Sequence, residues 1–184
     1  GKYNDGSKEN RPVLAQRLAE GMRLAWESQK KIPLRAEDIA WKVASVALPV
    51  REAIGAPGCV AALADAALPE RDRIAAGRDL VFLRRMSGGH KIPIGCLWLG
   101  DARVIHMPGE LFVEYQIAAQ ALHPDRFVAM AGYGDYGPGY IGTEESYKQG
   151  GYETSAASRT APQVEKVLME AVLKVMDGTG GQGD

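Results

Sequence analysis

The sequence predicts an α/β fold: a mixed sheet that contains an antiparallel hairpin, with helices packed on the sheet. Two strand-like segments, Ile92–Leu99 and Arg103–Met107, are joined by Gly100-Asp101, a pair suited to a type II′ hairpin turn. A helical pattern follows, and then an apolar strand at Phe127–Met130. The hairpin makes two strands antiparallel, and the strand–helix–strand order predicts a crossover to a parallel strand, so the sheet is expected to be mixed.

The totals describe an ordinary globular domain and exclude some function classes. The chain has 184 residues, 46% hydrophobic and 24% charged, which is enough to bury a core. A net charge of -1 and an isoelectric point near 6.4 argue against nucleic-acid binding, which needs a basic face. No apolar run is long enough to cross a bilayer. Cys59 and Cys96 lie in apolar surroundings, so free buried thiols are favoured, although a disulfide stays open.

The first half of the chain predicts three helices and one strand. Asn10 caps a helix that runs to about Gln29 and is expected to face the core; Pro33 prevents its continuation. Its apolar stripe consists of Leu14, Leu18, Met22 and Ala25. Asp38 to Leu48 alternates, with Ile39, Trp41 and Val43 on one side, as a half-buried strand does. Helices are predicted at Cys59–Leu68 and from Pro69 to about Met86.

The second half supplies the central strands and the chemistry. Ile92–Leu99 is apolar on both faces, which predicts a central strand. Pro108-Gly109-Glu110 is predicted to open the next helix, whose stripe is Leu111, Tyr115, Ala118 and Leu122. A last helix is expected between Thr160 and Met176, followed by a glycine-rich, disordered tail at 178–184. Residues 1–177 are expected to form one domain.

Three residues stand where α/β sheets place their sites. Glu110 follows one strand, and Tyr140 and Tyr152 lie in a glycine-tyrosine loop after the next. Sites in open α/β sheets form beyond the carboxyl ends of strands. Taken alone, Glu110 is an acidic residue in the first turn of a helix, and a loop tyrosine usually packs. Glu114 is expected on solvated helix surface, or beside Glu110.

These residues fall in an order that resembles the neutral/alkaline ceramidase family, zinc-dependent amidases that cleave N-acylsphingosines. Pro108-Gly109-Glu110 matches a Pro-Gly-Glu of the family, and Tyr140-Ile141-Gly142-Thr143 matches its Tyr-(Ile/Val)-Thr-Thr. Glu144-Glu145-Ser146-Tyr147, with Gln149 and Tyr152-Glu153, follows the family's Glu-Glu-Tyr-x-x-Gln-x-Tyr-Glu. Tyr152 lies twelve residues after Tyr140, as the second tyrosine does in the family.

The resemblance implies roles for the three residues. Glu110 and Tyr140 would be zinc ligands, and Tyr152 would donate its O–H to the oxyanion formed during attack on the amide. The family's two zinc histidines lie upstream of the matched segment. We therefore expect a partial domain, the C-terminal part of a catalytic domain whose N-terminal part is its partner. The substrate would be a ceramide-like N-acyl lipid, the chain alone would be inactive, and the protein would be secreted or extracytoplasmic.

Other interpretations stay open. A non-catalytic α/β module, binding or structural, would keep the fold without the chemistry. His90, His106 and His123 with Glu110 have the residue types of a zinc site but no ligand spacing. Gly132-Tyr133-Gly134-Asp135-Tyr136-Gly137 spells G-x-G-x-x-G, but Pro138 follows where a dinucleotide site needs a helix. Arg84-Arg85 is expected to be a solvated helix end, with an anion site as the alternative.

Overall fold

The computed structural model describes residues 4–134 and 136–177, so the predicted disordered tail at 178–184 lies outside the described residues. The chain forms two compact units, residues 1–34 and 35–184, and each is described by itself. The described helices do not combine the length and the apolar character that crossing a bilayer would require.

The first unit is one helix, α1 (Asn10–Ser28). Its start differs from the prediction, because Asn10 is the first helical residue and its N–H donates to the Ser7 hydroxyl at 3.2 Å. Arg23 bridges Glu20 and Glu27 at 2.6 and 2.5 Å on the helix surface. No residue of α1 is buried, so the prediction that its apolar stripe faces a core is wrong. Surface ion pairs at this spacing support a helix that lacks tertiary burial.

Among the described residues, the second unit contains six strands and five helices. The strands are β1 (Ile39–Val46), β2 (Ile92–Leu99), β3 (Ala102–Pro108), β4 (Glu110–Leu111), β5 (Val128–Gly134) and β6 (Tyr140–Ile141). The helices are α2 (Ala56–Ala64), α3 (Glu70–Ser87), α4 (Val113–Leu122), α5 (Glu144–Gln149) and α6 (Val164–Asp177). A single 3₁₀ turn at Ala36–Asp38 precedes β1.

The main sheet is mixed, as predicted. Its strand order is β1-β2-β3-β5. β1, β2 and β3 are antiparallel neighbours, and β5 lies parallel to β3 after a crossover through α4. β4 and β6 form a separate two-stranded parallel sheet. The expected central strand, β2, has a neighbour on each side.

The β2–β3 turn has the predicted geometry. Leu99 pairs with Ala102 across two turn residues. Gly100 has a φ of +57°, and Asp101 is not among the residues with positive φ. A positive φ at the first central residue alone is what a type II′ turn requires.

Helices cover one face of the sheet and close the core there. α6 packs on β1 and β2, and α4 packs on β5. α6 is amphipathic, and its buried side consists of Val164, Leu168, Ala171, Val172, Val175 and Met176. The Trp98 indole N–H donates to the Val175 carbonyl at 2.9 Å, which fixes the end of α6 against β2. Cys59 and Cys96 are free, buried thiols, and burial raises the pKa of both.

The opposite face of the sheet leaves apolar side chains exposed. β1 is half-buried as predicted, but its bulkier side is the exposed one: Ile39 and Val43 each keep 49% of their surface. The small residue Ala44 faces the core, where it lets α6 approach closely. A cavity of about 320 Å³ opens on the exposed side, lined partly by Trp41 and His106.

Candidate functional site

The two-stranded sheet brings Glu110 and Tyr140 side by side. They are directly opposite in the β4–β6 register. The Glu110 N–H donates to the Gly139 carbonyl at 3.0 Å, and the Phe112 N–H donates to the Ile141 carbonyl at 3.1 Å. These cross-strand bonds hold Glu110 in a strand. The prediction that Glu110 opens a helix is therefore wrong. The helix begins three residues later, at Val113.

Glycine makes this close pairing possible. Gly109 has a φ of +66°, which turns the chain out of β3 and into β4. A Cβ at Gly109 would lie 2.6 Å from the Gly139 carbonyl oxygen and 2.8 Å from Pro138 Cγ. Only a residue without a side chain therefore lets β4 reach β6.

Tyr152 completes the group that the sequence singled out. Its phenol oxygen lies 3.5 Å from that of Tyr140, and the two rings meet edge to face with centroids 5.7 Å apart. The hydrogen bond with Tyr152 is the main cause that raises the pKa of Tyr140; burial and a hydrogen bond with Glu110 add to it. The structure thus gathers Glu110, Tyr140 and Tyr152 into one cluster.

A fourth member, Tyr133, was missed by sequence reasoning. A hydrogen bond with Glu110 raises the pKa of the Tyr133 phenol. The Tyr133 N–H donates to the Gly109 carbonyl at 2.5 Å, and its backbone has a φ of +60°. A left-handed tyrosine is strained, and such residues cluster at functional sites. The sequence does contain a signal, because Tyr133 lies between two glycines just after the predicted strand. That segment was interpreted only as part of a nucleotide-binding motif.

The resulting arrangement is one carboxylate near the phenols of Tyr133 and Tyr140, whose pKa values it helps to raise. The same oxygens are hard donors for a small cation. For Tyr140 to bind a metal, its phenol must release the proton, and its raised pKa opposes this. Metal affinity at these two oxygens is therefore expected to increase with pH.

The histidines lie elsewhere. His106 packs against Trp41 with ring centroids 5.0 Å apart, and His90 packs against Tyr136 at 4.9 Å, with the rings tilted in both pairs. His123 pairs with Asp177 at 2.7 Å. Within residues 4–134 and 136–177, no three side chains of the His, Cys, Asp and Glu types form a metal-sized group. A zinc site made only of the chain's own histidines and Glu110 is therefore not assembled here.

Gly142 stands where the pattern Tyr-(Ile/Val)-Thr-Thr has threonine, and Ser146 is inserted before Tyr147. The structure couples these two departures. A Cβ at Gly142 would overlap Ser146 Oγ and lie 2.9 Å from Thr154 Cγ2. The Ser146 hydroxyl donates to the Thr143 carbonyl at 2.8 Å, and the Thr143 hydroxyl accepts from the Ser146 N–H to cap α5. With serine in this position, a larger residue at 142 does not fit.

The remaining predicted side chains have structural positions. Tyr147 packs against the core, with its phenol oxygen 2.8 Å from the Thr160 hydroxyl. Glu114 is exposed in the first turn of α4. In the G-x-G-x-x-G segment, Gly132 and Gly134 belong to β5, and no described helix follows until α5.

Comparison with solved structures identifies the fold. The chain is similar to neutral ceramidase from Pseudomonas aeruginosa, with a TM-score of 0.52 and 14% identity over 98% of the chain. It is also similar to a ceramidase complexed with C2, with a TM-score of 0.57 and 15% identity over 91% of the chain. The chain spans about a third of those proteins, 36% and 34% of their lengths. No family model and no curated protein matches it. The chain has a neutral ceramidase-like fold.

Proposed function

We propose that this chain is the C-terminal part of the catalytic domain of a zinc-dependent amidohydrolase that resembles neutral ceramidase. Its substrate would be a ceramide-like sphingolipid, cleaved at the N-acyl amide. One observation carries the proposal: β4 and β6 set Glu110 beside Tyr140, and Tyr152 lies 3.5 Å from Tyr140, within a neutral ceramidase-like fold.

The residues present fit one half of a zinc site. Glu110 and Tyr140 would hold the metal, because they stand directly opposite each other across β4 and β6. A catalytic zinc needs further protein ligands. The resemblance assigns these to two histidines upstream of this chain. When bound, zinc would lower the pKa of a water molecule towards about 7 and so supply the nucleophile.

The phenols would act on the substrate. Tyr152 keeps 61% of its surface exposed, so an amide carbonyl has access to its O–H. Donation of that O–H to the carbonyl oxygen, as negative charge develops there, would stabilise the transition state by a few kcal/mol. The contact with Tyr140 positions the Tyr152 phenol for this role.

Two observations support a partial domain. The chain corresponds to about a third of its ceramidase neighbours. The face of the main sheet that carries Ile39, Trp41 and Val43 leaves these large apolar side chains exposed, as expected of a surface that another layer covers. We assign that layer to the N-terminal part of the same domain.

The isolated chain is therefore expected to bind zinc weakly and to lack amidase activity. A calorimetric zinc titration of the 184 residues tests this, with His90→Ala, His106→Ala and His123→Ala variants as controls. Tight binding that depends on one of these histidines would contradict the proposed ligand set.

The activity itself is tested on the longer protein that contains this chain. We expect Glu110→Gln to abolish hydrolysis of a fluorescent N-acylsphingosine, and Tyr152→Phe to lower kcat more than it raises KM. Glu114→Gln is the matched control, because Glu114 is an exposed acid four residues later, in the first turn of α4. Unchanged turnover in Glu110→Gln would remove Glu110 from the mechanism.

The second candidate is a non-catalytic binding or structural module with the same fold. The departures from the family pattern at Gly142 and Ser146 favour this second candidate. The two residues contact each other, and they lie in the loop that carries Tyr140 at one end and Tyr152 at the other. A longer protein that binds the fluorescent lipid but never hydrolyses it, with or without added zinc, would support this candidate.

A further inference from the structure

A second groove lies along α3, away from the tyrosine cluster. Ile74, Arg78, Val81 and Arg85 recur at spacings of four, three and four residues, so they share one side of the helix. Ile74 and Val81 remain about half exposed, although α3 buries Leu80, Phe82 and Met86 on its other side. The exposed side is thus an apolar strip in which Arg78 follows Ile74, and Arg85 follows Val81, by one helical turn.

The opposite wall of the groove is rigidly held. It consists of Tyr136, Gly137 and Arg159. Arg159 donates from Nη1 to the Gly137 carbonyl at 3.2 Å, and its Nε lies 2.9 Å from Asp79. The Arg159 N–H donates to the Pro138 carbonyl at 3.0 Å. These bonds keep a groove of about 660 Å³ open against α3, a volume in the range of small-molecule sites.

The groove has an excess of positive charge. Asp79 compensates Arg159. Among residues 4–134 and 136–177, no carboxylate forms an ion pair with Arg78 or Arg85. The two guanidinium groups start from positions seven residues apart, about 10 Å along the helix axis. A ligand that fits must therefore carry negative charge and cover apolar surface.

We propose that this groove binds a free anionic amphiphile with a single aliphatic chain, of the long-chain carboxylate class. The chain would lie on Ile74 and Val81, which remain about half exposed. The carboxylate would pair with Arg78 or Arg85, since guanidinium binds carboxylate in a two-pronged fashion. This site does not involve Glu110, Tyr140 or Tyr152 and is independent of the proposed amidase activity.

Calorimetry on the 184-residue chain tests the proposal with decanoate as the probe. We expect decanoate to bind one site, while butyrate, which lacks the chain, and decyltrimethylammonium, which has the opposite charge, do not. Arg78→Gln with Arg85→Gln should weaken decanoate binding by about tenfold or more, the effect of losing a charged hydrogen bond. Arg84→Gln is the matched control: it removes an exposed arginine that does not line the groove.

A second variant addresses the apolar floor. Val81→Asp places a carboxylate in the groove at an exposed helix position, so circular dichroism should be unchanged while decanoate binding is lost. The proposal is overturned if decyltrimethylammonium binds as well as decanoate. It is also overturned if Arg84→Gln weakens binding as much as the double substitution, or if folded Val81→Asp binds decanoate normally.

Discussion

Single residues fix the loop that joins Tyr140 to Tyr152. The Tyr115 phenol, 1% exposed, donates to the Gly142 carbonyl at 2.9 Å and so ties this loop to α4. Ser146 occupies the space beside Gly142 on the other side. The position of Tyr140 therefore depends on residues that do not belong to the cluster.

The Gly142–Ser146 contact predicts a measurable coupling. Gly142→Ala should lower the free energy of unfolding by about 1–3 kcal/mol, because the new methyl group meets Ser146 Oγ. In a Ser146→Ala background the same change should be milder, with a coupling energy above about 0.5 kcal/mol in urea unfolding. Additive effects of the two substitutions would contradict the contact.

The buried Tyr115 phenol predicts alkaline sensitivity. Burial raises its pKa above the ordinary 10.0. Because the folded state holds the proton more tightly, the stabilisation is complete below pH 10 and is lost as pH rises above it. Tyr115→Phe should lower stability by about 1–3 kcal/mol at neutral pH, since the Gly142 carbonyl loses its buried donor. It should also flatten the fall in stability above pH 10; parallel pH curves for the two proteins would contradict this.

The sequence identified Glu110, Tyr140 and Tyr152 but not Tyr133. The first three occupy strand ends and loop positions that a linear pattern displays. Tyr133 joins them through its N–H, which donates to the carbonyl of Gly109 more than twenty residues earlier, and through its positive φ. Such a nonlocal backbone contact leaves no periodic signal in the sequence.

Among the secondary-structure elements, the longer ones were predictable and the short ones were not. The β2–β3 hairpin and α6 follow local periodicity and turn chemistry. β4 and β6 are two residues each, too short for any pattern, and exist because each pairs with the other. The predicted helix start at Glu110 was wrong for this reason.

The β4–β6 pairing predicts that Gly109 is irreplaceable. Gly109→Ala should lower stability by several kcal/mol, because it combines a strained left-handed backbone with contact at the Gly139 carbonyl. Gly89→Ala is the matched control: its φ is +79°, but nothing lies within 4 Å of the added Cβ, so only the strain of about 1–2 kcal/mol remains. Equal losses in the two variants, measured by thermal unfolding, would show that crowding at β6 is unimportant.

At the scale of the whole molecule, the exposed sheet face has consequences for the isolated chain. We expect it to self-associate through this face, and Ile39→Thr with Val43→Thr to reduce the association without lowering the unfolding midpoint. Val60→Thr is the control, because Val60 has the same 49% exposure but lies on α2. Sedimentation velocity gives the result; unchanged association in the double variant would contradict an interface on β1.

Alternation along β1 predicted a half-buried strand but not which side is covered. An apolar side normally faces the core, but here α6 packs against the side that carries Ala44 and leaves Ile39 and Val43 exposed. Burial depends on which elements are available to pack, and a strand's own pattern does not contain that information.

The central claim is that Glu110 and Tyr140 are ligands of one zinc ion in the longer protein. Anomalous scattering at the zinc edge, from crystals of that protein, tests it most directly. If both residues are ligands, we expect one zinc ion about 2.0–2.2 Å from a Glu110 carboxylate oxygen and at a similar distance from the Tyr140 phenol oxygen. A zinc ion bound elsewhere, with Glu110 and Tyr140 still opposite each other in β4 and β6 but in contact with no metal, would contradict it.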